Sequence, residues 1–229
     1  MSNVINYYKT GTYGGTREVF TPYARNREFL VENGAKIASA QAPAVGESIY
    51  AGDFGYLNES TGTVTLLKTF KLHTALTALS EEVIFIQDEF SHVLHEGDIV
   101  MVGGATGTTT GAGRTVGTIT KAVIAGVPVA KFAITANDFG AVAANTIFVI
   151  ADAAHATTAK PVVPTINTVF IETVKIKTPI NTNSTLTDGY GDYTVALAYH
   201  ATMLKESIYI PTYVSALNKI SNSTRYFEL

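Results

Sequence analysis

The stretch Val83-Ile84-Phe85-Ile86, followed by His95-Glu96-Gly97-Asp98-Ile99-Val100-Met101-Val102-Gly103-Gly104, decides the fold class. Each apolar run is four to five residues long and rich in β-branched or aromatic side chains. The second enters through Glu96-Gly97 and leaves through Gly103-Gly104. Short runs of this composition, bounded by Gly, Asn, Asp or Pro, read as strands closed by turns. Working outward, Val64 to Leu67, Val116 to Val123, Val129 to Thr135 and Thr146 to Ile150 repeat the pattern. The spacing is close to one strand per ten residues, which points to small barrels or sandwiches rather than βαβ units. The expected fold class is therefore all-β, built from small β-barrel or sandwich units with an embedded β module and only short helices.

Helical signals are thin. Val214 to Ile220 places Val214, Leu217 and Ile220 at i, i+3, i+6 and reads as two turns. Thr74 to Leu79 is Ala- and Leu-rich but short, and Ala151 to Ala159 is interrupted by Thr. Two polar stretches interrupt the strands. Gly103 to Gly113 is almost entirely Gly, Thr and Ala and reads as a loop or hairpin tip. Thr178 to Asp192 reads as an exposed loop between a strand ending near Lys177 and one starting near Tyr193. The resulting organisation has three parts: an N-terminal arm over 1–40, a β domain from 41–71 plus 151–229, and an embedded small β-barrel over 72–150.

Composition narrows the functional classes. The chain has 229 residues, 46 % hydrophobic and 15 % charged, with a formal net charge of −3. Soluble proteins average about 25 % charged residues. A surface poor in charge can be covered by other subunits without stranding ions. No basic stripe marks a nucleic-acid groove, since Arg17, Arg25 and Arg27 alternate with Glu18 and Glu28. The chain contains no cysteine, so disulfides, thiolate metal sites and thiol nucleophiles are excluded. No apolar run reaches the roughly 18 residues of a membrane-spanning helix, and Met1 to Lys9 lacks the pattern of a secretory signal.

Reactive constellations have structural readings that account for them better. The loop at 103–113 has no Gly-Lys-Ser/Thr and no helix pattern after it, so it lacks the parts of a phosphate cradle. His92, His95, Glu96 and Asp98 lie close together, but in a polar turn entering a strand. Glu81-Glu82 and Asp88-Glu89 are adjacent pairs that a strand would point to opposite faces, and they read as solvated turn residues. No nucleophile elbow is present. The expectation is no catalytic residue, no metal and no cofactor.

Val45-Gly46-Glu47-Ser48-Ile49-Tyr50-Ala51-Gly52-Asp53-Phe54-Gly55-Tyr56-Leu57 resembles the opening strand pair of tailed-phage head fibre and capsid-decoration proteins. There a Gly-Asp turn precedes a short strand and an inserted β module. The run from His95 to Met101, with its own Gly-Asp turn, is similar to their small barrel. Tyr193 to Ser207, then Ile208-Tyr209-Ile210-Pro211 and a closing Arg225-Tyr226-Phe227, resembles their ending. The resemblance covers about 45–229. It implies a virion surface location, attachment to the major capsid protein and self-assembly, often as a homotrimer; the composition adds the expectation of no nucleic-acid or membrane partner. Tyr7, Tyr8, Tyr13, Arg17 and Arg25 are the candidate capsid-attachment residues, because Tyr offers contact area at low entropic cost. The alternative is a carbohydrate- or host-surface-binding module reading through Asp188, Tyr190 and Asp192.

Overall fold

The computed structural model describes residues 34–39, 41–88, 91–104, 110–135, 138–180, 193–198, 209 and 211. Among them the chain is all-β. Its strands in order are β1 (Ala35–Ile37), β2 (Ser48–Ile49), β3 (Phe54–Asn58), β4 (Thr63–Leu66), β5 (Thr69–Lys71), β6 (Glu82–Ile86), β7 (Ile99–Val102) and β8 (Gly113–Thr115). There follow β9 (Thr120–Ile124), β10 (Val127–Ala133), β11 (Ile147–Ile150), β12 (Thr168–Phe170), β13 (Val174–Lys175), β14 (Thr194–Val195) and β15 (Leu197–Ala198). The Ala-rich stretches at 74–79 and 151–159 form turns, bends and isolated bridges, with no helix. The helix expected over 214–220 lies outside the described residues.

The chain divides into two compact units. Among the described residues, those within 34–67 and 165–198 belong to the first, and those within 68–164, with Tyr209 and Pro211, to the second. In the first unit, strand order β14-β1-β4-β3-β12-β15 makes a six-stranded sheet, parallel between β1 and β4 and antiparallel elsewhere. Strands β13 and β2 pair separately. Its core gathers Ile37, Ile49, Leu57, Val64, Leu66, Phe170, Ile176 and Leu197. Strand β4 alternates half-buried Thr with buried Val64 and Leu66, so one face meets this core. Just before β12 begins, the Asn167 side chain extends the pairing. Its Oδ1 accepts the Leu57 N–H at 2.7 Å and its Nδ2 donates to the Leu57 carbonyl at 2.9 Å.

The second unit contains two sheets, β6-β10-β9 and β5-β11-β7-β8, all antiparallel. Its core is aromatic. Phe85 is fully buried, with its centroid 5.6 Å from Phe70, 6.0 Å from Phe132 and 5.1 Å from Phe148. Phe139 meets Phe148 edge-on at 5.2 Å. Offset and edge-to-face rings at these separations add attraction beyond area burial.

One turn design recurs in both units. In Tyr50-Ala51-Gly52-Asp53, the Asp53 carboxylate accepts the Tyr50 N–H at 2.7 Å, and the Asp53 N–H donates to the Tyr50 carbonyl at 3.0 Å. His95-Glu96-Gly97-Asp98 repeats this at 2.9 and 3.2 Å. The third residue has φ of 92° at Gly52 and 90° at Gly97, a region that suits glycine. Ala44-Val45-Gly46-Glu47 uses a glutamate the same way.

Candidate functional site

The candidate capsid-attachment and glycan-contact residues lie outside the described part of the chain. Tyr7, Tyr8, Tyr13, Arg17 and Arg25 fall in 1–33, and Asp188, Tyr190 and Asp192 fall in 181–192. The chemistry that can be built from described residues centres on three polar clusters.

The first stands at the foot of the segment carrying Asp188, Tyr190 and Asp192. The Tyr193 hydroxyl oxygen accepts backbone N–H groups from Lys177 and Thr178, each at 2.8 Å, and lies 3.0 Å from the Thr178 hydroxyl. Two successive N–H groups aimed at one oxygen make a small anion-stabilising nest. Desolvation by burial is the largest influence on this phenol and raises its pKa. The hydrogen bonds from the Thr178 side chain and from the Thr178 and Lys177 backbone, with the Lys177 charge, together outweigh it and hold the phenol below its ordinary value. The arrangement closes the chain between Thr178 and Tyr193 like a clasp.

The second cluster joins Asp88, Ser91, Tyr209 and Lys71 in the second unit. The Tyr209 hydroxyl donates to the Asp88 carboxylate, and the Lys71 ammonium lies 5.2 Å from the centre of the Tyr209 ring. Ser91 Oγ sits 2.9 Å from the other Asp88 oxygen and 2.8 Å from the Ile86 carbonyl. Asp88 is thus a half-buried acceptor with named donors, not the solvated turn residue that its place in an adjacent acidic pair predicts. Glu82, from the other pair, lies in β6 and meets Lys131 at 3.4 Å.

The third is the His92, His95, Glu96 and Asp98 group. The buried His92 ring accepts the Thr69 N–H at Nδ1, at 3.1 Å. Asp98 closes the turn back to His95, with 3.7 Å between its carboxylate and the His95 ring. Glu96 Oε1 accepts the Ile119 N–H at 3.1 Å. His92, Glu96 and Asp98 each serve a different backbone N–H, from Thr69, Ile119 and His95 in turn. Among the described residues no group of three or more His, Asp or Glu converges on a metal-sized point.

The described end of the glycine loop, 110–113, packs against the 153–159 stretch, and 105–109 lie outside the described residues. Gly111 bridges Ala159 in both directions at 3.0 and 3.1 Å, and the Gly113 N–H donates to the His155 carbonyl at 2.8 Å. A Cβ on Gly113 would stand 2.4 Å from the Ala153 carbonyl oxygen and 2.7 Å from Ala159 Cβ. These glycines permit backbone-to-backbone approach. Arg114 then locks the corner, donating to Asp138 at 2.6 Å and to the His155 carbonyl at 2.9 Å.

Sequence reasoning missed the Tyr193 clasp and the Asp88–Tyr209 bond, which join residues 15 and 121 positions apart. No short motif signals such pairs. No helix among the described residues is long and apolar enough to cross a membrane. No family model, curated protein or solved structure matches the chain.

Proposed function

We propose that this chain is a structural protein of a tailed-phage head, attached to the major capsid protein and displaying β units outward. The observation that carries the reading is the second β unit, with its own aromatic core, spliced between β4 and β12 of the first. This organisation supports a division of labour in which one unit serves attachment and the other presents loops. The low charged fraction, 15 %, supports extensive contact with other subunits. The resemblance of 45–57, 95–101 and 193–211 to head-fibre and decoration proteins supplies the class.

Attachment under this reading buries the tyrosine-rich arm, with Tyr7, Tyr8 and Tyr13 filling pockets and Arg17 and Arg25 at the rim. A repeating shell multiplies weak contacts into avidity. The test is co-sedimentation of the purified chain with DNA-free heads of the virus that encodes it. Saturable binding, lost when Tyr7, Tyr8 and Tyr13 are all replaced by alanine, is the expected result. A chain that stays in the supernatant at every concentration overturns the reading. The glycan-binding alternative draws on the Tyr193 clasp, which ties Tyr193 to Lys177 and Thr178 on either side of the stretch bearing Asp188, Tyr190 and Asp192. Glycan binding abolished by Tyr190→Ala would favour it.

A further inference from the structure

The three-stranded sheet of the second unit ends in β9, and no described strand pairs with its outer edge. The orientation of that edge follows from the hairpin. Ile124 pairs with Val127 across Ala125-Gly126, whose φ values of 49° and 82° are those of a type I′ turn. The closing pair of such a hairpin exchanges both hydrogen bonds, and the pattern alternates from there. Ile124, Ala122 and Thr120 therefore bond to β10, while Val123 and Lys121 point their N–H and C=O groups outward. Two observations agree with this parity. Pro128, opposite Val123, directs its carbonyl away from β9 to the Gln87 N–H at 2.8 Å. Ile119, next in the outward series, gives its N–H to Glu96 Oε1 at 3.1 Å.

We propose that β9 pairs with β9 of a second copy of this chain, antiparallel about a two-fold axis at Ala122, making one six-stranded sheet across two molecules. The edge is complementary to itself in this register alone. With Ala122 opposite Ala122, Lys121 of one copy faces Val123 of the other, and these outward groups form four main-chain hydrogen bonds. Val123, 69 % exposed, is covered by the aliphatic stem of the facing lysine. Centring the axis on Lys121 sets two ammonium groups face to face and needs the Ile119 N–H that Glu96 already holds. Centring it on Val123 pairs Lys121 with Ala125, whose φ of 49° is not a strand conformation. Glu96 thus limits the edge to the two residues the two-fold register uses. The contact is isologous and closes as a pair rather than a fibre. One strand pair falls well short of the roughly 1,200 Å² of a stable standard interface, so the pairing is weak in dilute solution and gains where copies are crowded.

The pairing is independent of the head-protein reading, and its test uses no capsid. The chain has no native cysteine, so single cysteines report one contact each. In a non-hydrogen-bonded antiparallel pair the Cα atoms lie about 4.5 Å apart, within the ~4.4–6.8 Å range a disulfide spans. Ala122→Cys in the full chain should give a disulfide-linked dimer roughly tenfold faster than Leu79→Cys at equal concentration, because pairing raises the local thiol concentration. Leu79 is 84 % exposed, so random collision would favour it instead. Adding Val123→Lys to the Ala122→Cys chain places lysine against lysine at both symmetric positions and should slow linking about threefold or more, while Val123→Glu should speed it by a similar factor. Linking through Ala122→Cys no faster than through Leu79→Cys, or indifferent to both changes at position 123, overturns the pairing.

Discussion

Replacing Phe85 by alanine would remove the ring that three others surround. Phe85 has no exposed surface, and Phe70, Phe132 and Phe148 lie 5.1–6.0 Å away by ring centroid. Its backbone pairs with Ala130 in β10 and bridges Leu72, so neighbouring strands hold the site open after truncation. A cavity that cannot collapse costs more than the transfer of the lost atoms, and Phe-to-Ala changes in cores cost about 3–5 kcal/mol. Three ring contacts, each adding about 0.5–1.5 kcal/mol beyond area, put Phe85 near the top of that range, at about 4 kcal/mol. For a unit of roughly 100 residues, each kcal/mol moves the melting midpoint by about 4–8 °C, so the shift should be about 15–30 °C. The chain has no tryptophan, so hydrogen exchange with peptide-level resolution is the better assay. Peptides over β6, β10 and β11 should lose protection at much lower urea, while those over β3 and β4 keep theirs. A loss below about 1 kcal/mol in the second unit, or an equal shift in both units, would refute the reasoning.

Close approach and ionisation supply two more tests. Gly113→Ala should destabilise the second unit by about 1–3 kcal/mol, because the new methyl meets the Ala153 carbonyl; Gly117→Ala, with nothing within 4 Å and no positive φ, should stay within about 0.5 kcal/mol by urea titration. Tyr193 should ionise ahead of ordinary tyrosines in an ultraviolet pH titration, and the early component should vanish in Tyr193→Phe. Its folded pKa lies below the unfolded value of about 10, so the linked stability is absent at neutral pH, grows as pH rises through the folded pKa and is complete above the unfolded one.

The strands most legible in the sequence are those long enough to show composition. Val83 to Ile86, Ile99 to Val102 and Ile147 to Ile150 are apolar runs between Gly, Asp and Asn, and each is a strand. The stretch from Val116 reads differently. Sequence reasoning extends one strand from Val116 to Val123, whereas the strand begins at Thr120 and turns back at 125–126. The reason is turn chemistry: a type I′ hairpin announces itself as Asn-Gly or Asp-Gly, and here an alanine takes the left-handed position. Pro128 hides the break further, because it sits in β10 where it costs no bond to β9. Strands β12 to β15 have only two or three residues each, too few to show an alternation. The alanines at 151–159 suggest a weak helix because their small size helps helices. In the fold the same smallness lets Ala153 and Ala159 approach Gly113. Of the candidate sites, what is legible is residue type alone, since Tyr7 and Tyr190 belong to segments outside the described residues.

The acidic residues explain why a search for reactive carboxylates in this sequence leads to turns. Glu47, Asp53 and Asp98 each return to the N–H three residues earlier, Asp138 returns to Thr135 while holding Arg114, and Asp152 accepts the Lys160 N–H. A carboxylate engaged this way satisfies a donor that a turn would otherwise leave to water, which accounts for its position without any ligand. The Gly-Asp pairs that open β3 and β7 are therefore structural before they are anything else. They set where a strand starts, and the strand start sets the parity of every residue after it. The same logic applies at Glu96, which commits its carboxylate to the Ile119 N–H and thereby shortens the open edge of β9. These bonds leave the carboxylate charge in place and fix where it stands at each turn. The assembly proposal draws on the low charged fraction of the sequence, 15 %, whereas the two-fold pairing of β9 draws on the short strand edge that Glu96 leaves open.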